Sequence, residues 1–380
     1  MSNPIYLDYN ATTPVALEAA EAVMRCVTAA FGNPSSTYPL GRQANTIVED
    51  ARRSVAGLIG ANPDEIFFTG CATEANNLAL IGVAKKLHLD KRHLVVSAIE
   101  HPAVMEPARH LEREGWSLTV VPVDRLGRVA PADVESALRP DTALVSVMHA
   151  NNEIGTIQPI REIAAITRKR GVLLHTDAAQ SIGKIPVDIE TLGVDLLTIA
   201  GHKFYATKGI GALYVRRGTP ITNILFGASQ EHGLRPGTEN VAAIAGLGAA
   251  SGLALARLPE ARAHLQSTRD ALHRRLLAAI PTLQLNGHPD ERLPNTLHLS
   301  FPGVSGRALL QAASTDVAAS VGSACHSEHD AVSGVLAAMG CDPSRAAGAV
   351  RLSTGWPTTK DEIERAANAL IAAWRQLAPR

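Results

Sequence analysis

Short apolar segments alternate with longer amphipathic segments between residues 66 and 215. Seven of the short segments have the length and composition of strands: IFFT (66–69), HLVVS (93–97), SLTVVPV (117–123), ALVSVM (143–148), VLLHT (172–176), LLTIA (196–200) and GALYV (211–215). This alternation predicts a mostly parallel sheet covered by helices. Ligands of such sheets bind at the ends of the strands, so we expect the functional residues there.

The pattern becomes helical after Glu239. Segment 241–256 carries no charge and consists mostly of Ala and Gly, which is too short and too weakly apolar for a bilayer span and predicts a buried helix. Residues 261–280 have leucines at helical spacing, and strands at 296–301 and 349–353 precede a final helix at 359–377. We therefore predict a large domain of residues 12–256 and a small α+β domain of residues 1–11 and 257–380, with the site between them.

Composition narrows the class of protein. The 380 residues are 46% hydrophobic and 19% charged, which is typical of a globular protein. The 36 basic residues balance the 36 acidic ones, so we expect a small-molecule partner and neither nucleic acid nor a membrane. No secretory signal is evident in the sequence, and four cysteines without CxxC spacing indicate neither a disulfide framework nor a metal site. These features predict a cytoplasmic protein.

A helix start follows the first predicted strand, in the sequence FFTGCATEANN. Free backbone N–H groups and the helix dipole make such a start an anion site, and Thr73 can add a hydroxyl group. An equally simple interpretation is that Thr73 is only the N-cap of that helix. The segment alone does not decide between the two.

Two further strand ends carry ionisable residues. Asp177 follows a buried strand, where a carboxylate needs a partner or serves as a helix cap. Lys203 follows the next strand in a Gly-containing bend, where partial desolvation favours a nucleophilic amine. Lys208, in the same loop, is its competitor. A lysine for an aldehyde, an acid for a pyridinium nitrogen and a helix start for a phosphate together predict pyridoxal phosphate as the cofactor.

The chain resembles the cysteine desulfurases and selenocysteine lyases of the class V aminotransferase group over nearly its whole length. The resemblance is carried by YLDYNATTP (6–14), FGNPSS (31–36), IEHPAV (99–104), HANNEIGTIQP (149–159), HTDAAQSIGKIPVD (175–188), GHKFY (201–205), LRPGTEN (234–240) and GSACHS (322–327). It implies the α/β fold of the type I pyridoxal-phosphate-dependent transferases, with a seven-stranded large domain and a smaller C-terminal domain, and it implies a homodimer.

The resemblance also implies roles for individual residues around the cofactor. Lys203 matches the lysine that binds the cofactor covalently and moves the substrate α-proton, and Asp177 matches the partner of the pyridinium nitrogen. The other matching cofactor contacts are Gln180 at the phenolic oxygen, His101 on the ring face, Asn152, and the phosphate-binding residues Ala72 (through its N–H group), Thr73, His202 and Thr238, the last contributed by the other subunit. Arg351 matches the residue that binds the substrate carboxylate, next to Asn152 and Asn10.

Cys325 determines which reaction is expected. It lies in a segment of small and polar residues that predicts a flexible loop with a reactive thiol, whereas Cys26 and Cys341 accompany helical segments and are expected to be buried and inert. The resemblance implies that L-cysteine is converted to L-alanine and that sulfur passes to Cys325 as a persulfide and then to an acceptor protein or small thiol, with His101 handling a proton. The alternatives are a selenocysteine lyase acting on L-selenocysteine, another lyase or aminotransferase in which Cys325 is idle, and a binding protein without activity.

Three positions differ from the usual family pattern. Ala200 stands where a serine commonly precedes GHK, Cys71 replaces a small residue before the phosphate-binding threonine, and Trp356 stands where a basic residue is frequent. We interpret Cys71 as a small residue that fills a gap. The other two positions are places where substrate preference could differ.

Overall fold

The computed structural model describes residues 3–89, 91–322 and 333–378. The strands are β1 (Ile5–Tyr6), β2 (Ile66–Thr69), β3 (His93–Ser97), β4 (Ser117–Val121), β5 (Thr142–Ser146), β6 (Leu173–Asp177), β7 (Leu196–Ala200), β8 (Gly211–Val215), β9 (Gln284–Asn286), β10 (Thr296–Ser300), β11 (Val317–Ala318) and β12 (Ala349–Ser353). The helices are α1 (Leu17–Thr28), α2 (Pro39–Ile59), α3 (Ala72–Leu87), α4 (Pro102–Arg113), α5 (Pro131–Ala137), α6 (Ile160–Lys169), α7 (Ile189–Leu192), α8 (Val241–Ala279), α9 (Gly306–Ala312), α10 (Gly334–Ala338), α11 (Pro343–Ala347) and α12 (Lys360–Leu377).

The large sheet has seven strands in the order β2-β8-β7-β6-β5-β3-β4. Strand β8 is antiparallel to both of its neighbours, and the remaining pairs are parallel. The predicted mostly parallel α/β sheet is therefore confirmed, with strand ends that differ from the prediction by at most two residues. One of these shifts matters, because Asp177 is the last residue of β6 rather than the residue after it.

Alternate residues of the large sheet pack on opposite faces. In β3, Val95 packs into the cluster that contains residues of α2 and α8, whereas Leu94 and Val96 pack into the cluster that contains residues of α3 and α4. Both faces are apolar because helices cover both, as the continuous apolar segments indicated. Polar groups are thereby displaced to the strand ends.

A smaller unit has its own core. Leu7 from the N-terminal segment packs there with Leu276 of α8, Leu297 of β10 and Leu370 of α12. The division of the chain at residues 11 and 256 stays a prediction, and residue 256 lies inside the continuous helix α8. The two helical segments expected at 241–256 and 261–280 are thus one helix that extends from the large core into the small one.

Helix α8 is the one described helix long and apolar enough to cross a membrane by length and composition alone. Its apolar residues Ile244, Leu247 and Ala250 are buried in the large core against residues of α1 and α2. Core helices of globular proteins have the same composition and burial. The absence of a membrane partner stays a prediction.

Candidate active site

The predicted site residues meet at one edge of the large sheet. Strands β3, β5, β6 and β7 are parallel, and β2 has the same direction because β8 is antiparallel to both β2 and β7. Their carboxyl ends therefore face the same way. His101, Asp177, Lys203 and the start of α3 all follow or end these strands.

Asp177 is held as a buried carboxylate at the end of β6, with an exposed fraction of only 6%. Its Oδ2 accepts a hydrogen bond from Asn76 Nδ2 at 2.7 Å, and its Oδ1 accepts one from the backbone N–H group of Ala179 at 2.9 Å. A turn rather than a helix follows, so the alternative that Asp177 caps a helix is wrong. Two donors therefore fix the orientation of the carboxylate.

The start of α3 has no side-chain cap. Cys71 occupies the N-cap position, and Thr73 is an exposed residue of the first turn, so the alternative that Thr73 is the N-cap is wrong. Cys71 is also exposed and does not fill a gap, contrary to our interpretation. The first N–H groups of a helix have no partner within it, and with no side-chain cap here they are available to an anion.

Lys203 ends a single helical turn directly after β7. Its Nζ donates to the backbone carbonyl oxygens of Asn10 and Ala11 at 2.7 and 2.8 Å. Lys208 is exposed to solvent, so Lys203 is the better-placed lysine of this loop. The backbone of residues 10 and 11 thus accepts hydrogen bonds from the amine that is expected to bind the cofactor.

His202 and His101 flank this amine as half-buried imidazoles. Burial, assisted by the charge of Lys203, lowers the pKa of His202 to about 4, and its Nδ1 lies 3.2 Å from Thr12 Oγ1. Burial also lowers the pKa of His101. Nδ1 of His101 accepts from the N–H group of Ala103 at 3.1 Å, so the neutral ring carries its proton on Nε2.

Arg351 faces the site from β12 of the small unit and is 3% exposed. Its Nη2 lies 2.6 Å from Oδ1 of Asp8, and its Nη1 donates to the backbone oxygens of Asn152 and Gly322. Its Nε has no hydrogen-bond partner among the described residues. A buried guanidinium group with an unused donor fits a carboxylate ligand.

Asn10 joins the two sides of the site. It is 1% exposed, and its Nδ2 donates to Thr296 Oγ1 at 2.8 Å and to the Asn152 carbonyl oxygen at 3.2 Å. Its Oδ1 accepts from Asn295 Nδ2 at 2.9 Å, and its backbone oxygen accepts from Gln180 Nε2 at 3.0 Å. Both atoms of the side-chain amide therefore have protein partners, and the direct substrate contact of Asn10 stays a prediction.

The structure does not bring Thr238 into this cluster. Thr238 is exposed, between Arg235 and α8, and makes no hydrogen bond to Thr73 or His202 in the described chain. Cys325 lies outside the described residues. Cys26 and Cys341 were both expected to be buried. Cys26 is buried in α1, whereas Cys341 is only half-buried.

Sequence reasoning assigned no role to four residues that support the site. Asn76 and Asp8 are the partners of Asp177 and Arg351, and Lys184 is a buried lysine behind Gln180. Glu100 accepts from Ser97 Oγ and the N–H group of Met148, and burial raises its pKa to about 8. Each lies in a sequence motif quoted above, but only the fold shows which partners they have.

The described residues fit pyridoxal phosphate. The buried Asp177 carboxylate suits a protonated ring nitrogen, the start of α3 with His202 suits a phosphate, and Lys203 lies close to both elements in the topology. Gln180 Nε2 and Lys203 Nζ donate to the same carbonyl oxygen, which places an amide donor beside the reactive amine. No other buried group of the site conflicts with these contacts.

Comparison with known proteins agrees with this arrangement. The family Aminotransferase class-V matches residues 5–366. Cysteine desulfurase IscS of Dictyoglomus turgidum is 45% identical over 96% of this chain and 92% of its own length, and the mitochondrial cysteine desulfurase of Saccharomyces cerevisiae is 43% identical over 100% and 77%. A solved NifS-like protein superposes with a TM-score of 0.93 at 37% identity, covering 98% of this chain and all of its own. The chain belongs to the class V aminotransferase family and, within it, to the group of the cysteine desulfurases.

Proposed function

We propose that this protein is a pyridoxal-phosphate-dependent cysteine desulfurase that releases L-alanine from L-cysteine and retains the sulfur on Cys325. The observation that carries the proposal is the convergence of Asp177, Lys203 and Gln180 at one sheet edge, opposite Arg351. A further solved relative, SspA, 34% identical with a TM-score of 0.83 over 93% of this chain and 99% of its own, is described as a complex with cysteine. That description supports the same amino acid as the substrate here.

When it is bound, the cofactor supplies an electron sink that acidifies the substrate α-carbon and activates its side chain. Arg351 binds the substrate carboxylate through Nε and the unused N–H groups of its guanidinium group. Lys203 Nζ would hold the cofactor and, as a free amine during the reaction, would accept the substrate α-proton. Asp177, whose Oδ2 accepts a hydrogen bond from Asn76, would be the partner of the ring nitrogen.

His101 acts from Nε2. Because Nδ1 already accepts a backbone hydrogen bond, the neutral ring presents an N–H donor to the substrate rather than a base. The lowered pKa of His101 keeps the ring neutral near pH 7. We therefore assign it the role of a hydrogen-bond donor toward the reacting groups.

The sulfur transfer step balances without a further reagent. The Cys325 thiolate forms an S–S bond to the substrate sulfur while the substrate Cβ–S bond breaks. The electron pair of that bond goes to Cβ, which takes up one proton to become the methyl group of alanine, and this proton balances the one that the Cys325 thiol loses. The product on the protein is a persulfide, which an acceptor protein or a small thiol then removes.

A cytoplasmic homodimer is part of the proposal. Thr238 completes the phosphate site of the second subunit, and its exposed position leaves it accessible to a partner. Large apolar side chains that are exposed in the single chain support such an interface: Leu17, Met24, Val27 and Phe31. Light scattering of the purified protein measures the mass directly, and a monomer would contradict this part of the proposal.

Mass spectrometry after exposure to L-cysteine tests the reaction. We expect one added sulfur atom on the peptide that contains Cys325 and stoichiometric release of alanine. Cys325→Ser should abolish both, whereas Cys341→Ser, which changes a half-buried cysteine, should retain both. Undiminished turnover of L-cysteine by the Cys325→Ser protein would exclude the persulfide route.

Selenocysteine lyase activity is the alternative that uses the same site. Rates with L-cysteine and L-selenocysteine, measured for the wild type and for Cys325→Ser, separate the two activities. A protein that turns over only L-selenocysteine, and does so without Cys325, would replace the desulfurase assignment.

A further inference from the structure

A second lysine lies buried behind the cofactor-binding residues. Lys184, in the turn that follows Asp177 and Gln180, is 5% exposed. Its Nζ donates to Gln180 Oε1 at 2.9 Å and to Asn10 Oδ1 at 3.3 Å. The reaction proposed above gives this lysine no part.

The contact with Lys184 determines which way the Gln180 amide faces. An ammonium group offers only N–H donors and a neutral amine offers two of them, so Lys184 favours the carbonyl oxygen of Gln180 as its neighbour, and this is the contact in the structure. The NH₂ group of Gln180 must then lie on the other side. It does so in this structure, where Nε2 donates to the Asn10 carbonyl oxygen at 3.0 Å.

That NH₂ group lies beside the reactive lysine. Lys203 Nζ donates to the same carbonyl oxygen of Asn10 at 2.7 Å, so the two donors share one acceptor. In pyridoxal phosphate the phenolic oxygen is attached to the ring carbon next to the one that carries the aldehyde. A donor adjacent to the amine that binds the aldehyde can therefore reach the phenolic oxygen, which is the contact that the resemblance implies for Gln180.

The contacts of Lys184 do not depend on its charge. Burial lowers the pKa of Lys184 well below its usual value, and the positive charges of Lys203 and Arg351 act in the same direction. A neutral amine retains two N–H groups, which match the two acceptors that Gln180 and Asn10 provide. An apolar side chain of the same length would leave the Gln180 carbonyl oxygen without this donor, whereas Asn10 Oδ1 would keep its hydrogen bond from Asn295.

We propose that Lys184 is a positioning residue that fixes the Gln180 amide with its N–H group toward the phenolic oxygen of the cofactor and its carbonyl oxygen away from it. The proposal rests on the proposed function, because it requires pyridoxal phosphate on Lys203. Without Lys184 the amide is free to rotate and to present its oxygen to the phenolate, which repels it. Lys184 touches neither substrate nor cofactor and acts through Gln180 alone.

The pH titration of the visible absorption band of the cofactor–lysine chromophore is the readout. A donor to the phenolic oxygen competes with the proton on the lysine-derived nitrogen for the negative charge of that oxygen. Lys184→Met, which removes the donors and keeps the apolar stem, should raise the midpoint of this titration by about one pH unit, the scale of one hydrogen bond. An unchanged midpoint would overturn the proposal.

A double-mutant cycle separates positioning from charge. Gln180→Leu removes the group through which Lys184 acts, so adding Lys184→Met to it should cause no further shift of the midpoint. A direct effect of the Lys184 charge on the chromophore would persist in the Gln180→Leu protein and would overturn the proposal. Lys208→Met, which removes an exposed charge from the Lys203 loop, is the control and should leave the midpoint in place.

The remaining outcomes are also decisive. If Lys184→Met does not fold, a crystal structure of the wild-type holoenzyme decides: a hydrogen bond from Lys184 to Gln180 Oε1 with Nε2 on the phenolic oxygen supports the proposal, and the opposite amide orientation overturns it. A wild-type protein without any chromophore would refute the proposed function itself. A wild-type chromophore with an unchanged Lys184→Met titration would refute this inference alone.

Discussion

The two sides of the active site are built in different ways. The cofactor side consists of the ends of adjacent strands, with Asp177 at the end of β6 and Lys203 one turn beyond β7. The substrate side is assembled from distant parts of the chain, because Arg351 of β12 pairs with Asp8, 343 residues away in sequence. Backbone ladders position the first side, whereas side-chain hydrogen bonds position the second, including those that Arg351 and Asn10 donate to the Asn152 carbonyl oxygen.

This difference predicts different responses to substitution. The cofactor side rests on a buried parallel sheet, so a change there should affect chemistry and leave the fold intact. The substrate side is a buried polar network, in which the loss of one member leaves its partners unsatisfied. Changes there should affect substrate binding and the free energy of unfolding together.

Lys203→Ala, a substitution on the cofactor side, is expected to have the largest effect. Removing the amine eliminates both the covalent attachment and the proton acceptor, so turnover of L-cysteine should fall by about 10³-fold or more. Alanine release and borohydride trapping of the cofactor measure the loss. Lys208→Ala is the matched control and should leave turnover unchanged, and equal losses in the two variants would show that the wrong lysine was assigned.

Asn10→Asp tests the junction of the two sides. The substitution keeps the shape of the side chain but removes the N–H groups that bind Thr296 Oγ1 and the Asn152 carbonyl oxygen, and it places a carboxylate in a site that is 1% exposed. The free energy of unfolding should fall by about 2–4 kcal/mol. Denaturant unfolding measures it against Asn368→Asp, an exposed control on α12, and equal stabilities would show that the network does not hold the units together.

Arg351→Lys is expected to affect substrate binding with little effect on the cofactor. Lysine keeps the charge but lacks the planar pair of donors, so kcat/KM for L-cysteine should fall by about 10- to 100-fold, mainly through KM. Steady-state kinetics at fixed cofactor occupancy measure the change. A fall in kcat with an unchanged KM would contradict the assignment of Arg351 to the substrate carboxylate.

Glu100 lies on the cofactor side, and Glu100→Gln should change how the free energy of unfolding depends on pH. Burial raises the pKa of Glu100 to about 8, so the folded protein binds a proton that the unfolded chain has released, and this stabilisation is lost as the pH rises through 8. Between pH 6.5 and 8 the free energy of unfolding of the wild type should fall by about 1 to 2 kcal/mol relative to that of Glu100→Gln.

Thermal unfolding of both proteins across this range measures the difference. Histidines with lowered pKa values, such as His101 and His202, contribute the opposite slope below about pH 6.5, which is why the upper range is chosen. Parallel curves for the two proteins would mean that Glu100 does not hold a proton in the folded state.

The sequence predicted the cofactor side better than the substrate side. Continuous apolar segments such as LLTIA locate β7, and the lysine that follows it is read directly from the chain. The pairing of Asp8 with Arg351 and the contacts of Asn10 join residues that are about 300 positions apart in the chain, which no local pattern encodes. In the sequence Lys184 is one residue of a longer motif, and nothing there shows that its side chain is buried. Only the fold shows this.

The prediction also divided α8 in two. Pro259 lies inside this 39-residue helix, where it removes one backbone hydrogen bond. Residues 255–257 are exposed, so the carbonyl group that loses its partner faces water. Apolar packing on either side of Pro259, with Ala254 and Leu265 both buried, outweighs that loss. Local propensity was a poor guide at this position because tertiary packing decided it.

Helix α8 also limits how this protein can be divided or rearranged. Cleaving the chain anywhere between residues 241 and 279 would leave an apolar strip on each fragment without its partner helices. We expect neither half to be soluble when it is produced alone. New chain ends made by circular permutation should be tolerated in surface turns, such as the one at Gly218, but not within α8.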